Sequence, residues 1–450
     1  MDVSGIKKGF YDVLQVRQGK CPPDCHACED VCARERWHTS ESGIVKIGGP
    51  VNASREFHSI AICHQCGEPA CMDICPTGAI VKDETDGVVR IIEEKCLGCG
   101  LCTLGCSQGG IQYNSNTGKV FKCDLCEGNP KCVEACPHGI ISLEKSRPIM
   151  AELQNDPLSP TTTLCQGCGA EVGIRFAQRI LGPDIITLGG PGCAAITIAG
   201  AESGAFRKGA SFLGSMTNLP SIATGMARYY QRKGEDVTTV IIAGDGLTAD
   251  IGFQPLSGAA ERGENILYIC YDNEAYMNTG IQRSSTTPFG AWTTTTPVGV
   301  QSQGKEGGSK NLPLIMAFHG IPYAATASIA YPQDFANKLQ KAKSIKDGLR
   351  YIHLLAPCPT GWRHATDLTI EMARAAVETN YFPLWEADHG KFHITHRVEH
   401  PRPIEEFTQF QGRFRHLNKS ELSQIQNIVD EKFDQLEALT KLNAKKEKDG

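Results

Sequence analysis

The sequence has no long hydrophobic run, since none of its apolar stretches approaches the roughly 18 residues that a membrane-spanning helix needs. The N-terminal segment MDVSGIKKGFYDVLQVRQGK lacks the apolar centre of an export signal. An excess of positive charge is also missing, because 45 Lys and Arg residues are set against 50 Asp and Glu residues. We therefore expect no membrane insertion, no nucleic-acid partner and a cytoplasmic location.

Cysteine, by contrast, is abundant, with 21 residues in a chain of 450. Disulfides need an oxidising compartment, which the absence of an export signal argues against, so the cysteines predict metal or redox centres. Sixteen of the 21 lie between Cys21 and Cys136, and the other five are scattered from Cys165 to Cys358. The chain therefore has two parts with different chemistry.

The first sixteen cysteines form four groups of four. The groups are Cys21, Cys25, Cys28 and Cys32; Cys63, Cys66, Cys71 and Cys75; Cys96, Cys99, Cys102 and Cys106; and Cys123, Cys126, Cys132 and Cys136. In bacterial ferredoxins three thiolates of one tight loop bind one 4Fe-4S cube, and the fourth, often followed by proline, binds a second cube. Pro76 and Pro137 follow two of the groups in this way. The pattern predicts four 4Fe-4S clusters rather than zinc sites, which use separated CxxC pairs.

We expect the groups to be interlocked in pairs. The predicted ligand sets are Cys63, Cys66, Cys71 and Cys106; Cys96, Cys99, Cys102 and Cys75; Cys21, Cys25, Cys28 and Cys136; and Cys123, Cys126, Cys132 and Cys32. The pairing of the two outer sets is left open. Residues 15–145 resemble the four-cluster ferredoxin subunits of molybdenum enzymes and hydrogenases. That family has two residues between its first two cysteines, whereas three, including Pro22 and Pro23, follow Cys21 here, a spacing expected to distort the first cluster or alter its potential.

The second half alternates apolar runs with amphipathic stretches, which predicts an α/β domain with a parallel sheet flanked by helices, preceded by a small α+β polyferredoxin domain. The predicted elements are strands at Thr238–Ala243, Asn265–Tyr271 and Tyr351–Ala356, a helix at Gln254–Arg262 closed by Gly263, and a charged helix at Ser420–Leu439. The expected domains are residues 1–146 with four clusters, a proline-containing linker at 147–162, a catalytic domain at 163–417, and a helix and tail at 418–450.

Two polar motifs follow predicted strands in this half. Gly244-Asp245-Gly246 ends the first strand, and Asp272-Asn273 ends the next one. Mg²⁺ prefers oxygen ligands, which Asp245 and Asn273 supply, and the two glycines let the backbone approach a bound diphosphate. This is the fingerprint of thiamine-diphosphate enzymes, with Asp272-Asn273 where many of them have two asparagines.

The segment that follows carries a more specific resemblance. The stretch YDNEAYMNTGIQRSS, which begins at Tyr271, resembles the β subunits of pyruvate:ferredoxin oxidoreductases and their 2-oxoacid relatives, and the likeness runs from about Thr163 to Leu417. It implies that the Ala275 carbonyl completes the Mg²⁺ shell. It also implies that Asn278, as a catalytic residue, and Thr279 lie over the diphosphate and the reacting end of thiamine.

The same resemblance accounts for four of the five late cysteines. Cys165, Cys168, Cys193 and Cys358 match the ligands of the family's proximal 4Fe-4S cluster, which brings the expected total to five. The alternatives are a zinc knuckle for the first three and a structural thiol for Cys358. Cys270, inside an apolar strand, is predicted to be a packed core thiol. His319 and His353, which also lie on apolar segments, are assigned to packing.

The resemblance implies a subunit of an enzyme of anoxic metabolism that decarboxylates and oxidises a 2-oxoacid and transfers the acyl group to coenzyme A. Its expected partners are α-type and γ/δ-type subunits, with electrons leaving through a flavoprotein subunit to NAD or through a soluble ferredoxin. A polyferredoxin fused ahead of the β module resembles the acylating phenylglyoxylate dehydrogenases, which make benzoyl-CoA. Pyruvate is the alternative substrate, and an electron-transfer subunit without thiamine chemistry is the alternative of another class.

Overall fold

The computed structural model describes residues 11–16, 22, 24–37, 45–48, 58–66, 69–83, 85–106, 110–114, 117–146, 164–199, 210–300 and 302–446. The chain divides into two units, Met1–Glu152 and Leu153–Gly450. The predicted linker at 147–162 and the predicted ligand Cys21 lie outside the described residues. Within the described ranges, no helix has both the length and the apolar character needed to cross a membrane.

The first unit consists of short antiparallel strand pairs and single-turn helices. Its strands are β1 Tyr11–Val16, β2 Val45–Gly48, β3 His58–Ala61, β4 Ile80–Lys82, β5 Val89–Ile91, β6 Ile111–Asn114, β7 Lys119–Lys122 and β8 Ile141–Ser146. They pair as β1 with β8, β2 with β3, β4 with β5 and β6 with β7. Its helices are α1 Ala27–Val31, α2 Ala70–Asp73, α3 Leu101–Gly105 and α4 Lys131–Ala135. Both the first and the last strand belong to one pair, which closes the unit.

Each of these four helices carries one cysteine of a group. The helical cysteines Cys28, Cys71, Cys102 and Cys132 are all buried. The fourth cysteine of each group follows within two residues of the helix end, so the helix sets its direction relative to the other three. The described residues of this unit form two small apolar cores that contain these thiols. The spacing of the cysteines thus has a direct structural origin in one helical turn per group.

The second unit is built on an eight-stranded sheet. Its order is β10 Ala210–Leu213, β9 Ile185–Gly189, β11 Thr238–Gly244, β12 Ile266–Asp272, β16 Arg350–Leu355, β15 Tyr323–Ser328, β17 Leu384–Asp388 and β18 Lys391–His396. Neighbouring strands from β10 to β15 in this order pair in parallel. β17 pairs antiparallel with β15 on one side and with β18 on the other. A separate small hairpin pairs β13 Val298–Gly299 with β14 Ser302–Gln303. The predicted parallel sheet is confirmed. Its strands β11 and β12 are buried apolar runs, as expected where helices cover both faces of a sheet.

The helices of this unit connect the strands. They are α5 Gly169–Leu181, α6 Cys193–Ala199, α7 Leu219–Lys233, α8 Phe253–Glu261, α9 Leu312–Phe318, α10 Pro332–Ser344, α11 Pro359–Trp362, α12 Thr369–Glu378, α13 Glu405–Thr408 and α14 Lys419–Lys446. The predicted helix before Gly263 is confirmed as α8, and Gly263 adopts a left-handed φ of 62° after it. The predicted C-terminal helix is also present, but its predicted end at Leu439 is wrong, because α14 continues to Lys446.

Candidate functional site

Four neighbouring parallel strands bring the predicted site residues to one edge of the sheet. Cys193 follows β9, Asp245 follows β11, Asn273 follows β12 and Cys358 follows β16. These strands are adjacent in the order β9, β11, β12 and β16. Ligands of open α/β sheets bind outside the carboxyl ends of the strands. The two predicted centres, for thiamine diphosphate and for the proximal cluster, therefore lie side by side.

One cleft contains all the residues of the predicted thiamine motif. Its lining includes Gly244, Asp245, Gly246, Asn273, Ala275, Asn278 and Thr279, together with Cys193. Asp245 and Asn273 are buried, whereas Asn278 and Thr279 are exposed. The oxygen donors that Mg²⁺ prefers thus lie at the base of the cleft, and the residues expected over the reacting end of thiamine lie at its rim.

Gly246 is required here by close packing. A Cβ atom at this position would lie 2.6 Å from a ring carbon of Tyr276. The Tyr276 hydroxyl donates a hydrogen bond to the Gly246 carbonyl at 2.9 Å. The ring therefore closes over the Gly-Asp-Gly turn and fixes the direction of Asp245.

We expect Gly246→Ala to weaken thiamine diphosphate binding by about tenfold or more, because the added methyl group displaces Tyr276 and an overpacked site costs about 1–3 kcal/mol. The measurement is the dissociation constant of the cofactor in the purified complex. Gly225→Ala is the matched control, since no atom lies within 4 Å of a Cβ at that helical position. Unchanged affinity in Gly246→Ala would show that Tyr276 does not shape the site.

The electrostatics of Asp245 favour a bound cation. Its side chain is 1% exposed, and burial, followed by the neighbouring Asp272 carboxylate, raises the pKa of the Asp245 carboxyl well above its usual range. The Thr286 hydroxyl lies 3.0 Å from Asp245 Oδ2 and 2.9 Å from Asp272 Oδ1. A hydroxyl has one proton, so it donates to only one of the two carboxylates at a time. A divalent cation on Asp245 would offset this concentration of negative charge, and the donor set fits Mg²⁺.

His353 is packed between aromatic rings, as expected, and it also belongs to a buried polar network. The His353 side chain is 3% exposed, and its Nε2 lies 2.8 Å from Asp272 Oδ2. Its Nδ1 lies 2.7 Å from the Tyr351 hydroxyl. The indole of Trp362 donates a hydrogen bond to the Asn273 carbonyl at 2.9 Å. Buried hydrogen bonds to Asp272 and Asn273 therefore fix the strand end that presents Asn273. His319 likewise hydrogen-bonds to Ser257 Oγ, at 2.9 Å, and it takes no part in the site.

The four late cysteines converge, as the sequence predicts. Burial, followed by Cys168, Cys358 and Cys165, raises the pKa of the Cys193 thiol to about 12. The Gly361 N–H donates to Cys358 Sγ at 3.3 Å. Among the described residues, no three Cys, His, Asp or Glu side chains lie close enough to share a single metal ion. The ligand role of the four thiols therefore remains a prediction, for which their mutual proximity is the structural support.

The loop of the first two of these cysteines depends on Gly167. This residue has a left-handed φ of 71°, and a Cβ there would lie 2.1 Å from the Thr366 carbonyl oxygen. Thr369 Oγ1 donates to the Gly167 carbonyl at 2.5 Å. The Gly169 N–H donates to the Pro357 carbonyl at 3.2 Å, one residue before Cys358. Backbone hydrogen bonds thus join the two segments that supply Cys168 and Cys358.

Tyr271 connects the two predicted centres, which the sequence did not reveal. Its hydroxyl accepts a hydrogen bond from the Ala194 N–H at 3.0 Å, directly after Cys193. Tyr271 and Cys193 also line the same cleft as Asp245. A redox centre held by Cys193 would therefore lie next to the cofactor held by Asp245.

The cysteines of the two inner groups are sorted as the interlocked pairing requires. Burial, followed by Cys63 and Cys106, raises the pKa of the Cys66 thiol. Burial also raises the pKa of the Cys71 thiol, and the neighbouring Cys63, Cys106 and Cys66 thiols add to this rise. The Cys102 thiol interacts with Cys75, Cys96 and Cys99 instead. Each set thus combines three cysteines of one group with the last cysteine of the other.

Cysteines of the two outer groups lie close to one another. Burial, followed by Cys32, Cys126 and Cys28, raises the pKa of Cys132 to about 12. Cys32 and Cys126 of one predicted set therefore both lie near Cys132, but Cys28 of the other predicted set does so too, and the pairing of the outer sets stays open. The other predicted set cannot be assembled from the described residues, since Cys21 lies outside them. That set, with Cys25, Cys28 and Cys136, stays a prediction.

Comparison with known proteins agrees with both units. The model of the thiamine pyrophosphate enzyme C-terminal TPP binding domain matches residues 190–354, and the 4Fe-4S dicluster domain model matches residues 56–146. The chain is 42% identical to the β subunit of NADH-dependent phenylglyoxylate dehydrogenase from Aromatoleum evansii, over 96% of this chain and 98% of that one.

Two further relatives match a smaller part of the chain. Pyruvate synthase subunit PorB of Methanothermobacter thermautotrophicus is 49% identical over 61% of this chain and 94% of its own. Ketoisovalerate oxidoreductase subunit VorB of Pyrococcus abyssi is 47% identical over 62% of this chain and 92% of its own. The chain therefore belongs to the family of oxoacid:ferredoxin oxidoreductase-type β subunits, with a thiamine-pyrophosphate-binding domain preceded by a 4Fe-4S domain.

Proposed function

We propose that the chain is the catalytic and electron-transfer subunit of a complex that converts phenylglyoxylate to benzoyl-CoA and CO₂. The observation that carries the reaction type is the presence of Cys193 in the same cleft as Asp245, which favours electron transfer from the thiamine site to an iron–sulfur cluster. The substrate rests on the relative from Aromatoleum evansii, which this chain matches over both units. The substrate is thus inferred from the shared domain arrangement and not from the residues of a substrate pocket.

The residues of the cleft have distinct roles in this proposal. Asp245, Asn273 and the Ala275 carbonyl would hold Mg²⁺ and, through it, the diphosphate. Thiamine diphosphate, when bound, acts as the electron sink for loss of CO₂. Asn278, at the exposed rim, would position the oxoacid over the reacting end of the cofactor.

The electron balance requires the clusters. One 2-oxoacid anion and one CoA thiol give acyl-CoA, CO₂, one proton and two electrons. Cys165, Cys168, Cys193 and Cys358 would hold a 4Fe-4S cluster, which supplies one-electron transfer, and the four cysteine sets of the first unit would hold the further clusters that carry the electrons. We propose that a flavoprotein subunit then passes them to NAD, with a soluble ferredoxin as the alternative acceptor. The name of the Aromatoleum relative, which is NADH-dependent, supports the nicotinamide acceptor.

We propose that an α-type subunit completes the active site, and that γ/δ-type subunits belong to the same complex. Asn278 and Thr279 are exposed in this chain, although they line the cleft. A second chain placed over this rim would exclude water from the reacting end of the cofactor and supply the acid that activates the thiamine ring. The single polypeptide is therefore expected to be inactive.

Pyruvate is the second candidate substrate, because the PorB relative has the higher identity, 49%, over the part that it matches. We expect the anoxic complex, with CoA, to turn over phenylglyoxylate faster than pyruvate. The same preparation should contain about twenty iron atoms and one thiamine diphosphate per chain, as five cubes and one site require. Turnover of pyruvate alone would overturn the aromatic substrate. Iron without thiamine diphosphate would instead identify an electron-transfer subunit.

A further inference from the structure

Among the described residues of the first unit, one lysine is fully buried. Lys122, the last residue of β7, is 1% exposed. Its ammonium donates to the Val89 carbonyl and, at 2.8 Å, to the Cys123 carbonyl. In the part of the chain that the structure describes, no carboxylate lies within ion-pairing distance of this nitrogen. Among the described residues, the charge is therefore held by neutral carbonyl oxygens alone.

The position of this ammonium is fixed by a second buried side chain. Gln65 is 0% exposed, and its amide donates to the Cys123 carbonyl at 3.0 Å and accepts from the Val89 N–H at 2.8 Å. Gln65 and Lys122 thus bind the same two backbone segments. These hydrogen bonds together hold the ammonium in its buried position.

Lys122 lies between two predicted clusters. Cys123, its chain neighbour, belongs to one predicted set, and Cys71 belongs to another. The Lys122 ammonium donates to the backbone carbonyl of Cys123 itself. Gln65, which lies between Cys63 and Cys66 of the other set, donates to the same carbonyl at 3.0 Å, so segments of the two sets meet at this point with the lysine beside them.

A buried cation without a carboxylate partner is costly, because an isolated ammonium loses its hydration in the low-dielectric interior. A 4Fe-4S cube with four thiolates carries net negative charge, and that charge increases by one electron on reduction. A fixed positive charge beside it stabilises the reduced form more than the oxidised form.

We propose that Lys122 is a redox-tuning residue that raises the reduction potentials of the two clusters flanking it. These are the clusters of Cys63, Cys66, Cys71 and Cys106 and of Cys123, Cys126, Cys132 and Cys32. In the reduction step each cluster would gain one electron from the added reductant. Lys82, which is half-buried and donates to the Cys66 carbonyl at 2.7 Å, contributes less because water screens it. The proposal rests on the cluster assignments of the proposed function.

The test is a redox titration of the anoxic complex with dithionite, followed by electron paramagnetic resonance, on Lys122→Met, Lys122→Gln and Lys122→Arg. In the two neutral variants the ratio of reduced to oxidised cluster, at a fixed potential, should fall at least about tenfold, which is about 59 mV for a one-electron couple. Lys122→Arg keeps the charge and should stay near wild type. Lys119→Met is the matched control, since Lys119 lies on the same strand and binds the Glu93 carbonyl from an exposed position.

The iron and sulfide content of each preparation distinguishes a failure of the tuning role from a failure of the cluster assignments. Full iron with unchanged potentials in a neutral variant overturns the tuning role and leaves the cluster assignments standing. Loss of iron in both neutral variants, with retention in Lys122→Arg, also overturns it, because the charge is then needed to retain the clusters. Zinc in place of iron in the wild type would overturn the proposed function itself.

Discussion

Replacing Asp245 by alanine is expected to abolish thiamine diphosphate binding and, with it, oxoacid turnover. Asp245 is the only carboxylate of the predicted Mg²⁺ ligand set, and it is 1% exposed. Unit charges about 4 Å apart interact by about 4 kcal/mol at an effective dielectric near 20, which corresponds to a loss in affinity of roughly a thousandfold. The neutral isostere Asp245→Asn should show most of this loss, since the charge rather than the shape is removed. The measurement is cofactor content and affinity in the purified complex.

Asp236→Asn is the matched control for this prediction. Asp236 precedes the same strand, and its side chain is exposed and paired with Lys346. We expect cofactor content and turnover to stay at the wild-type level in that variant. A wild-type level of thiamine diphosphate in Asp245→Ala would mean that the Gly-Asp-Gly turn does not hold the cofactor, and the proposed function would then fail.

Replacing Cys193 by alanine is expected to remove the proximal cluster and to disconnect the cofactor from the electron-transfer domain. The iron content should fall by about four atoms per chain, because a cube needs all four of its thiolates. Substrate-dependent reduction of the remaining clusters should be lost, whereas their chemical reduction by dithionite should be retained. Iron analysis and the visible absorption of the anoxic complex measure both effects.

Cys270→Ala provides the matched control, since it removes another thiol of the second unit. Cys270 lies within β12 at 0% exposure and is not one of the four predicted ligands. Its replacement is expected to cost about 1 kcal/mol of stability and no iron. Equal iron loss in the two variants, or full iron in Cys193→Ala, would contradict the assignment of the proximal ligands.

Much of the site could be predicted because its residues are close in sequence or follow strands in a set pattern. Gly244, Asp245 and Gly246 end one apolar run and Asn273 ends the next, so their meeting at one sheet edge follows from parallel pairing. The cysteine sets of the inner ferredoxin groups are likewise encoded by spacing. The structure brings together Cys66 with Cys106 and Cys102 with Cys75, as the spacing implies.

The supporting residues could not be found in this way. The carboxylate partner of His353 is Asp272, which is 81 positions away, and alternation along a strand shows only that the histidine is buried. Tyr271 contacts the residue after Cys193 across 77 positions. Lys122 gives no sign in the sequence that it is buried, because lysine on a short strand is normally solvated.

By itself the sequence determined which atoms are available: sulfur in groups of four, and a carboxylate and an amide at consecutive strand ends. It could do so because iron, magnesium and phosphate constrain residue type and local spacing. Only the tertiary structure decided that Cys193 shares a cleft with Asp245, that His353 and Asp272 lie behind Asn273, and that Lys122 is enclosed between two cysteine sets. The reason is that burial and hydrogen-bond partners are set by the order of strands in the sheet and the packing of separate segments, which no local pattern records.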